Sequence, residues 1–171
     1  LVSREDAVLV VTMNRPAQKN AINPEMLCRL ADAWDALDAD DGLHVAILTG
    51  SGGTFCAGAD LDKLVTRSLK GLPPEDDFEQ RIRDDYQLIF KGLLRSYRTK
   101  KPLIAAIEGD CIAGGVEILQ GTDIRVAGER IGIVESGTIY VLEAGPDGVL
   151  GNTDDVETNL GTHWPFLGQF D

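Results

Sequence analysis

The sequence predicts an α/β fold in which strands and helices alternate along the chain. Three observations support this prediction. Short runs rich in β-branched and other apolar residues recur along the first three quarters of the chain. Between them lie longer segments whose apolar residues recur at helical spacing. Clusters of Gly, Pro, Asn and Asp separate the two kinds of segment. Such alternation is typical of layered folds in which helices connect the strands of one sheet.

The predicted elements follow one another in a regular order. Strands are predicted at 7–13, 45–50, 102–107, 123–127 and 138–143. The first helix begins at Asn23 and Pro24, because Asn is a favoured N-cap and Pro fits the first helical turn. Further helices are predicted as a short one from about residue 60, a long one over 77–97 and a short one over 114–120. The continuously apolar run 45–50 favours a strand covered on both faces.

Composition and charge limit the classes of function. The chain of 171 residues is 43% apolar and contains no apolar run long enough for a membrane span, which predicts one soluble domain. Its formal net charge of −12 disfavours nucleic acid as a partner, since phosphate backbones attract clustered Lys and Arg. The first residues lack a signal-peptide pattern. Three cysteines without metal-ligand spacing, Cys28, Cys56 and Cys111, predict reduced thiols in a cytoplasmic protein without a metal site.

Two glycine-rich turns are the most informative features of the sequence. One is Phe-Cys-Ala-Gly-Ala-Asp-Leu at 55–61, and the other lies within 107–117. Each follows a predicted strand and consists mainly of small residues, which allow a ligand to approach the backbone closely. If the two turns face each other, two backbone N–H groups can donate to one oxygen. This arrangement is an oxyanion hole, and it suits chemistry at a thioester carbonyl.

The two turns belong to a set of five segments that occur in a characteristic order. The segments are 14–23, with Asn-Arg-Pro and Lys-Asn-Ala-Ile-Asn, then 55–61, 101–109, 113–117 and 123–129. Together they resemble the enoyl-CoA hydratase/isomerase (crotonase) superfamily over roughly residues 5–135. The resemblance implies a crotonase-like fold, with a spiral core of ββα repeats. It divides the chain into an acyl-CoA-binding core at 1–135 and a divergent, weakly structured tail at 136–171, where the usual C-terminal helical region is missing or replaced.

The resemblance also implies catalytic roles. The backbone N–H groups of Ala59 and Gly114 correspond to the two oxyanion donors. Glu117 lies about one helical turn beyond Gly114 and corresponds to a catalytic carboxylate. Glu135 is the candidate for the second carboxylate, although the spacing from Glu129 to Glu135 is shorter than the family pattern by about two residues.

Coenzyme A is expected as part of the substrate, with no prosthetic group. By the same resemblance, the first turn contacts it through its backbone, and residues 19–21 line the entrance, where a lysine could meet a phosphate. The implied CoA-binding residues are Ala57, Ala59, Asp60, Leu61, Asp62 and Lys19.

The leading functional hypothesis is an enoyl-CoA hydratase of fatty-acid or lipid metabolism, which adds water across a 2,3 double bond. An enoyl-CoA isomerase or another enolate reaction is an alternative, because one fold hosts many reactions. A non-catalytic module that binds acyl-CoA or a partner is another. The resemblance implies a homo-oligomer, a trimer or hexamer. A Ca²⁺ site in the tail is a further interpretation, although turn formation explains the same residues, Asp147, Asn152, Asp154 and Asp155.

Overall fold

The described strands form one sheet of seven strands. The computed structural model describes residues 1–135, 138–143 and 156–162, and it describes side chains over residues 1–128. The strands are β1 Val2–Glu5, β2 Val8–Met13, β3 Val45–Gly50, β4 Leu103–Ile112, β5 Ile124–Glu135, β6 Thr138–Glu143 and β7 Val156–Thr162. Their order in the sheet is their order in the chain. Strands β2 to β5 are parallel, and the outer pairings are antiparallel.

The strand predictions are confirmed in place, with two additions, but β4 and β5 continue five and eight residues beyond the predicted ends at 107 and 127. Strand β6 coincides with the predicted strand at 138–143, whereas β1 and β7 were not predicted. Strand β3 buries Ala46 and Leu48 but leaves Val45 and Ile47 partly exposed, so its second face is only partly covered. The four candidate calcium ligands of the tail lie outside the described residues, and so do most of residues 136–171.

Five helices connect the strands of the described part of the chain. They are α1 Pro24–Ala39, α2 Arg67–Leu69, α3 Asp77–Asp84, α4 Gln87–Gly92 and α5 Gly114–Gln120, with a 3₁₀ turn at Pro16–Gln18 and a π-helical turn at Leu61–Thr66. Helix α1 begins as predicted, because the Asn23 side chain accepts a hydrogen bond of 3.0 Å from the Met26 N–H. None of these helices has the length and apolar character needed to cross a membrane.

The prediction of one long helix over 77–97 is wrong. Helix α3 ends at Asp84, and α4 begins at Gln87. Between them Asp85 is extended, with φ −137° and ψ 91°, and its carboxylate accepts a hydrogen bond of 3.0 Å from the Gln87 N–H. A short carboxylate side chain of this kind competes with the helix for backbone N–H groups. The helical periodicity therefore continues across a break that the local hydrogen bond creates.

The hydrophobic core lies between α1 and the sheet. Leu27, Trp34 and Leu37 of α1 are fully buried, and they pack with buried residues of β3 and β4. The indole N–H of Trp34 donates to the Gly92 carbonyl oxygen at 3.2 Å. A Cβ at Gly92 would lie 2.7 Å from the Leu27 carbonyl oxygen, so the absence of a side chain lets α4 rest directly on α1. This contact fixes the end of α4 beside the carboxyl ends of the parallel strands.

Candidate active site

The two glycine-rich turns lie side by side, the first after β3 and the second over the last residues of β4 and the start of α5. Cys56 of the first turn pairs with Cys111 of β4 as an isolated parallel bridge. The Cys56 N–H donates to the Asp110 carbonyl oxygen at 3.1 Å, and the Ile112 N–H donates to the Cys56 carbonyl oxygen at 2.8 Å. These bonds join the turns in the arrangement that the sequence predicts.

The backbones of the two turns approach each other closely, with room for little more than a methyl group between them. A Cβ at Gly114 would lie 3.8 Å from the Ala59 nitrogen, and a Cβ at Gly58 would lie 3.6 Å from the Gly114 nitrogen. Gly58 has φ +88°, a conformation that side-chain-bearing residues rarely adopt. The Ala59 and Gly114 amides are therefore neighbours.

The Ala59 amide points away from the protein segment beside it. Ile22 forms a parallel bridge with Ala59, in which the Ile22 N–H donates to the Gly58 carbonyl and the Asp60 N–H donates to the Ile22 carbonyl, both at 2.8 Å. In this pattern the N–H of the bridged residue itself faces the opposite side. Over residues 1–128, the Ala59 amide donates to no protein acceptor.

The Gly114 amide is free for a different reason. Gly114 is the first residue of α5, and an N–H at that position has no acceptor within its own helix. The preceding Ala113 has φ 45° and ψ −109°, an unfavourable backbone conformation for a residue with a Cβ. Such conformations cost about 1–3 kcal/mol and persist where the surrounding structure imposes them. Here the strained residue connects β4 to the helix that presents the Gly114 amide.

A cavity of about 480 Å³ connects three of the four predicted catalytic residues. Ala59, Gly114 and Glu117 all line it. The opposite wall is mostly apolar and comes from α1, the π-helical turn and helices α3 and α4, with Leu27, Leu64, Ile82, Ile89 and Leu93. A thioester placed at the two amides would thus have its acyl group beside apolar side chains.

Glu117 lies three residues beyond Gly114 in α5 and lines the same cavity. Its N–H donates to the Ala113 carbonyl at 3.0 Å, which fixes its place one turn into α5. Its side chain is 42% exposed, and the guanidinium of Arg95 approaches its Oε2 to 3.6 Å. Arg95 also lines the cavity. Sequence reasoning did not identify Arg95, which lies 22 positions before Glu117 in a stretch without a recognisable motif.

The second predicted carboxylate, Glu135, is the last residue of β5. Its backbone pairs with Thr138 of β6. Its side chain lies outside the part of the chain whose side chains are described, so its catalytic role stays a prediction.

A buried asparagine of the segment predicted to line the entrance, Asn20, holds the loop that leads into the first turn. The Asn20 carboxamide is fully buried. It accepts a hydrogen bond of 2.9 Å from the Arg15 N–H and donates to the carbonyl oxygens of Ser51 at 2.8 Å and Thr54 at 2.7 Å. The signal in the sequence was the Lys-Asn-Ala segment itself. A polar residue between two turns is well placed to form hydrogen bonds with backbone groups.

The predicted CoA-binding residues divide into two groups. Ala59 lines the cavity, whereas the other five residues do not. The Ala57 N–H donates to the Lys19 carbonyl at 3.0 Å, so the segment that carries Lys19 is joined to the first turn. The side chains of Lys19, Leu61 and Asp62 are exposed next to this turn.

Asp60 uses its carboxylate within the protein. Its Oδ2 lies 3.0 Å from the Arg15 guanidinium, and its Oδ1 accepts a hydrogen bond of 3.3 Å from the Lys63 N–H. The backbone of Asp60 is also used within the protein, because its N–H donates to the Ile22 carbonyl at 2.8 Å and its carbonyl accepts from the Leu64 N–H at 2.9 Å. The ion pair with Arg15 also joins the 3₁₀ region to the start of the π-helical turn.

A buried ion pair supports the outer wall of the cavity. Arg67 Nε donates to Glu79 Oε1 at 2.8 Å, and the Glu79 carboxylate also accepts from the Glu75 N–H at 2.8 Å. The hydrogen bond to Glu79 raises the pKa of Arg67. Arg67 and Glu79 both line the cavity, so this pair fastens α2 to α3 on the side facing the apolar wall.

The cysteines near the site are not nucleophiles. Cys56 and Cys111 are free and fully buried. Burial raises the pKa of the Cys56 thiol to about 11 and raises the pKa of the Cys111 thiol as well. Thiolate is the reactive form, so both groups are inert near neutral pH. In residues 1–128, no group of three or more His, Cys, Asp or Glu side chains is placed to hold a metal ion.

Comparisons with known proteins agree on one family. The family model for enoyl-CoA hydratase/isomerase matches residues 3–140. The enoyl-CoA hydratase EchA19 of Mycobacterium tuberculosis is 50% identical over 138 residues, covering 80% of this chain and 49% of that protein. The peroxisomal Delta(3,5)-Delta(2,4)-dienoyl-CoA isomerase of Arabidopsis thaliana is 31% identical over 127 residues, covering 73% and 46%.

Solved structures agree with the sequence relatives. The crystal structure of enoyl-CoA hydratase EchA1 from Mycobacterium marinum superimposes with a TM-score of 0.64 at 39% identity, covering 80% of this chain and 48% of that one. The chain spans about half the length of the curated relatives it matches.

Proposed function

The chain belongs to the enoyl-CoA hydratase/isomerase family and has its crotonase-like α/β fold, and on that basis we propose that it carries the oxyanion hole and a catalytic carboxylate of an enoyl-CoA hydratase. The reaction adds water across the 2,3 double bond of a CoA thioester. The observation that carries the proposal is the cavity that Ala59, Gly114 and Glu117 line together.

The two backbone amides perform the electrostatic part of the reaction. The Ala59 and Gly114 N–H groups donate to the thioester carbonyl oxygen, which becomes negatively charged as the enolate forms. Donors that are already oriented need no reorganisation during the reaction, and removal of one such donor typically costs about 10²–10³ in rate. The strained backbone at Ala113 supports this role, because strain of this kind is typical of functional sites.

Glu117 performs the proton transfer. Its carboxylate binds a water molecule beside the double bond, and one water proton is transferred to the α-carbon while the hydroxyl adds to the β-carbon. The polarised thioester makes the α-carbon basic enough to accept that proton. Glu135 is proposed as the second carboxylate on the same water, in keeping with its place in the family pattern.

Coenzyme A lies along the first turn in this proposal. The backbone of Ala57 to Asp62 contacts the adenosine and pantetheine portions, and the exposed Lys19 meets a phosphate as a point charge. Because this contact is made equally before and during the reaction, Lys19→Ala is expected to raise KM a few-fold and to leave kcat unchanged. A fall in kcat with unchanged KM would contradict this assignment.

The proposal also covers the cofactor, the cellular compartment, the oligomeric state and the division of the chain. The substrate supplies coenzyme A and no prosthetic group is required. Buried free thiols suit a reducing compartment, the cytoplasm. The outward-facing Ile124 and Val126 of β5 are exposed, as expected for a homo-oligomer such as a trimer or hexamer. The division into a core at 1–135 and a divergent tail at 136–171 is part of the same proposal.

The test is turnover of crotonyl-CoA, followed as loss of the conjugated enoyl-thioester absorbance. Glu117→Gln keeps the shape of the side chain but cannot accept a proton, so turnover is expected to fall at least about 100-fold. Glu108→Gln is the matched control, because Glu108 is an exposed residue of β4 outside the cavity, and it is expected to stay within about twofold of the wild type.

Two results would contradict the hydratase proposal. Equal turnover in the wild type and in Glu117→Gln would show that Glu117 takes no part in the reaction. No turnover with binding of crotonyl-CoA retained would favour another enolate reaction or a module that only binds acyl-CoA.

An enoyl-CoA isomerase is the second candidate. The dienoyl-CoA isomerase relative favours it, and so does chemistry, because moving a proton between two carbons of an enolate requires only one carboxylate. A 3-enoyl-CoA offered to the protein would then develop the conjugated absorbance without consumption of water. The ratio of this rate to the crotonyl-CoA hydration rate separates the two activities.

A further inference from the structure

The turn that carries Arg95 is rigidly built. Helix α4 ends in a Schellman arrangement, in which the Arg95 N–H donates to the Phe90 carbonyl at 2.8 Å and the Leu94 N–H donates to the Lys91 carbonyl at 3.0 Å. The residue between the helix and Arg95 is Leu94, with φ +57°. Glycine normally occupies that left-handed position, and another residue costs about 1–2 kcal/mol there. The direction in which the chain leaves α4 is therefore imposed by the surrounding structure.

The same turn is packed against the helix that carries Glu117. Leu94 is 2% exposed, and it lies directly against Gly121, the C-cap residue of α5. A Cβ at Gly121 would overlap the Leu94 Cβ and would lie 3.0 Å from an Arg98 guanidinium nitrogen. The absence of a side chain at Gly121 thus lets the α4 turn approach the end of α5, and it sets the separation between Arg95 and Glu117.

The Arg95 side chain has one further support. Its guanidinium lies over the Phe90 ring at 5.4 Å from the ring centroid, and Tyr86 meets that ring edge-on at 5.4 Å. Stacking on an aromatic face limits the rotamers of an otherwise flexible side chain. Among residues 1–128, no other cation pairs with Glu117.

The contact between Arg95 and Glu117 is ionic and longer than a hydrogen bond. The Arg95 Nη1 lies 3.6 Å from Glu117 Oε2. At this separation the cation attracts the carboxylate without occupying its lone pairs. Both oxygens of Glu117 stay available to a water molecule, while the attraction disfavours rotamers that turn the carboxylate away from the cavity.

We propose that Arg95 is a positioning residue that holds the Glu117 carboxylate in its cavity-facing orientation for water activation. This inference rests on the proposed function, because it assigns Arg95 to the reaction that Glu117 performs. Arg95 acts through Glu117 and does not touch the substrate.

The first test is a double-mutant cycle in the crotonyl-CoA assay. Arg95→Met and Arg95→Gln are expected to lower kcat about 3- to 10-fold with KM within about twofold, which is the effect of a partly exposed charge pair. Arg95→Lys, which keeps the charge, is expected to recover most of that loss. In the Glu117→Gln background the change at Arg95 is expected to have no further effect. An equal loss in that background, or a loss confined to KM, would overturn the proposal.

A matched control is available on the surface of α1 and α3. Arg29 pairs with Glu25 at 2.7 Å and lies over the Phe78 ring at 5.2 Å, so it makes an ion pair and a cation–π contact without lining the cavity. Arg29→Met is expected to keep kcat and KM within about twofold of the wild type.

A second test needs no enzymatic activity, so it separates failure of this inference from failure of the proposed function. In the Glu117→Cys variant, the only thiol near the cavity surface among residues 1–128 is the new one, because Cys28, Cys56 and Cys111 are buried. Its rates of modification by an anionic and a cationic methanethiosulfonate reagent of similar size are compared. With Arg95 present the anionic reagent is favoured, and Arg95→Met is expected to reduce that preference at least about threefold. An unchanged ratio would overturn the proposal even if the protein hydrates no enoyl-CoA.

Discussion

Replacement of Asn20 by Ala is expected to destabilise the protein severely. The Asn20 carboxamide is fully buried, and its two polar atoms bond to backbone groups of three residues. Alanine removes all three hydrogen bonds, and it leaves the Arg15 N–H and the Thr54 carbonyl without their partner in a region closed to water.

The magnitude follows from counting these bonds. A hydrogen bond contributes about 1 kcal/mol net, and a buried group left without a partner costs about 1–3 kcal/mol. Three lost bonds and at least one unsatisfied group give a loss of about 4 kcal/mol in the free energy of unfolding. A domain of this size has about 5–15 kcal/mol in total, so the variant would be close to unfolding.

The assay is urea denaturation followed by far-ultraviolet circular dichroism. Asn14→Ala is the matched control, because Asn14 is exposed and accepts one hydrogen bond of 2.9 Å from the Ser51 hydroxyl. We expect it to cost about 0.5 kcal/mol or less. Asn20→Asp keeps an acceptor for the Arg15 N–H but places carboxylate oxygen against the Ser51 and Thr54 carbonyls, so it should be no milder than Ala. A loss below about 1 kcal/mol in Asn20→Ala would refute this reasoning.

Two further predictions concern backbone space and pH. Gly109 has φ +67°, and a Cβ there would overlap the Gly53 carbonyl, whereas Gly71 has φ +60° with open space around it. In thermal or urea unfolding, Gly109→Ala should therefore lower the free energy of unfolding by at least about 2 kcal/mol more than Gly71→Ala does. Equal losses in the two variants would contradict the steric argument. The Tyr97 hydroxyl donates to Asp38 at 2.6 Å, and this hydrogen bond raises the pKa of Tyr97 to about 12. Since the unfolded phenol titrates near about pH 10, the stabilisation is complete below that pH and is lost as the pH rises to about 12. In Tyr97→Phe, stability measured from pH 9 to pH 12 should lack this component of the decline, and an identical decline in both proteins would contradict the assignment.

Features set by local chemistry could be predicted from the sequence. The start of α1 depends on Asn23 and Pro24, and the start of α5 depends on glycines that follow a strand, so both were located from neighbouring residues alone. The sequence analysis considered a meeting of the two glycine-rich turns only as a condition, and the parallel pairing of β3 with β4 brings them together. The resemblance added the roles of Ala59, Gly114 and Glu117, which line one cavity.

Features set by distant contacts could not be predicted. The break between α3 and α4 depends on the hydrogen bond that the Asp85 carboxylate accepts from a backbone N–H. The spacing of apolar residues along the sequence does not indicate such a bond. The place of Arg95 beside Glu117 depends on Leu94 in a left-handed conformation against Gly121. No pattern within either segment indicates that these residues meet, because the cause lies in packing between helices distant in sequence.

Small residues have two linked functions at this site. A Cβ at Gly115 would lie 2.8 Å from the Cys56 Cβ and 3.2 Å from the Cys111 sulfur, so α5 rests directly on the bridge between the two turns. That close contact is what brings the Gly114 amide next to the Ala59 amide. The residues that leave room for a ligand are therefore also those that let the two turns approach each other. A larger side chain at Gly115 would push α5 away from this bridge and move the Gly114 amide, so the geometry of the proposed oxyanion hole and the packing of α5 must change together.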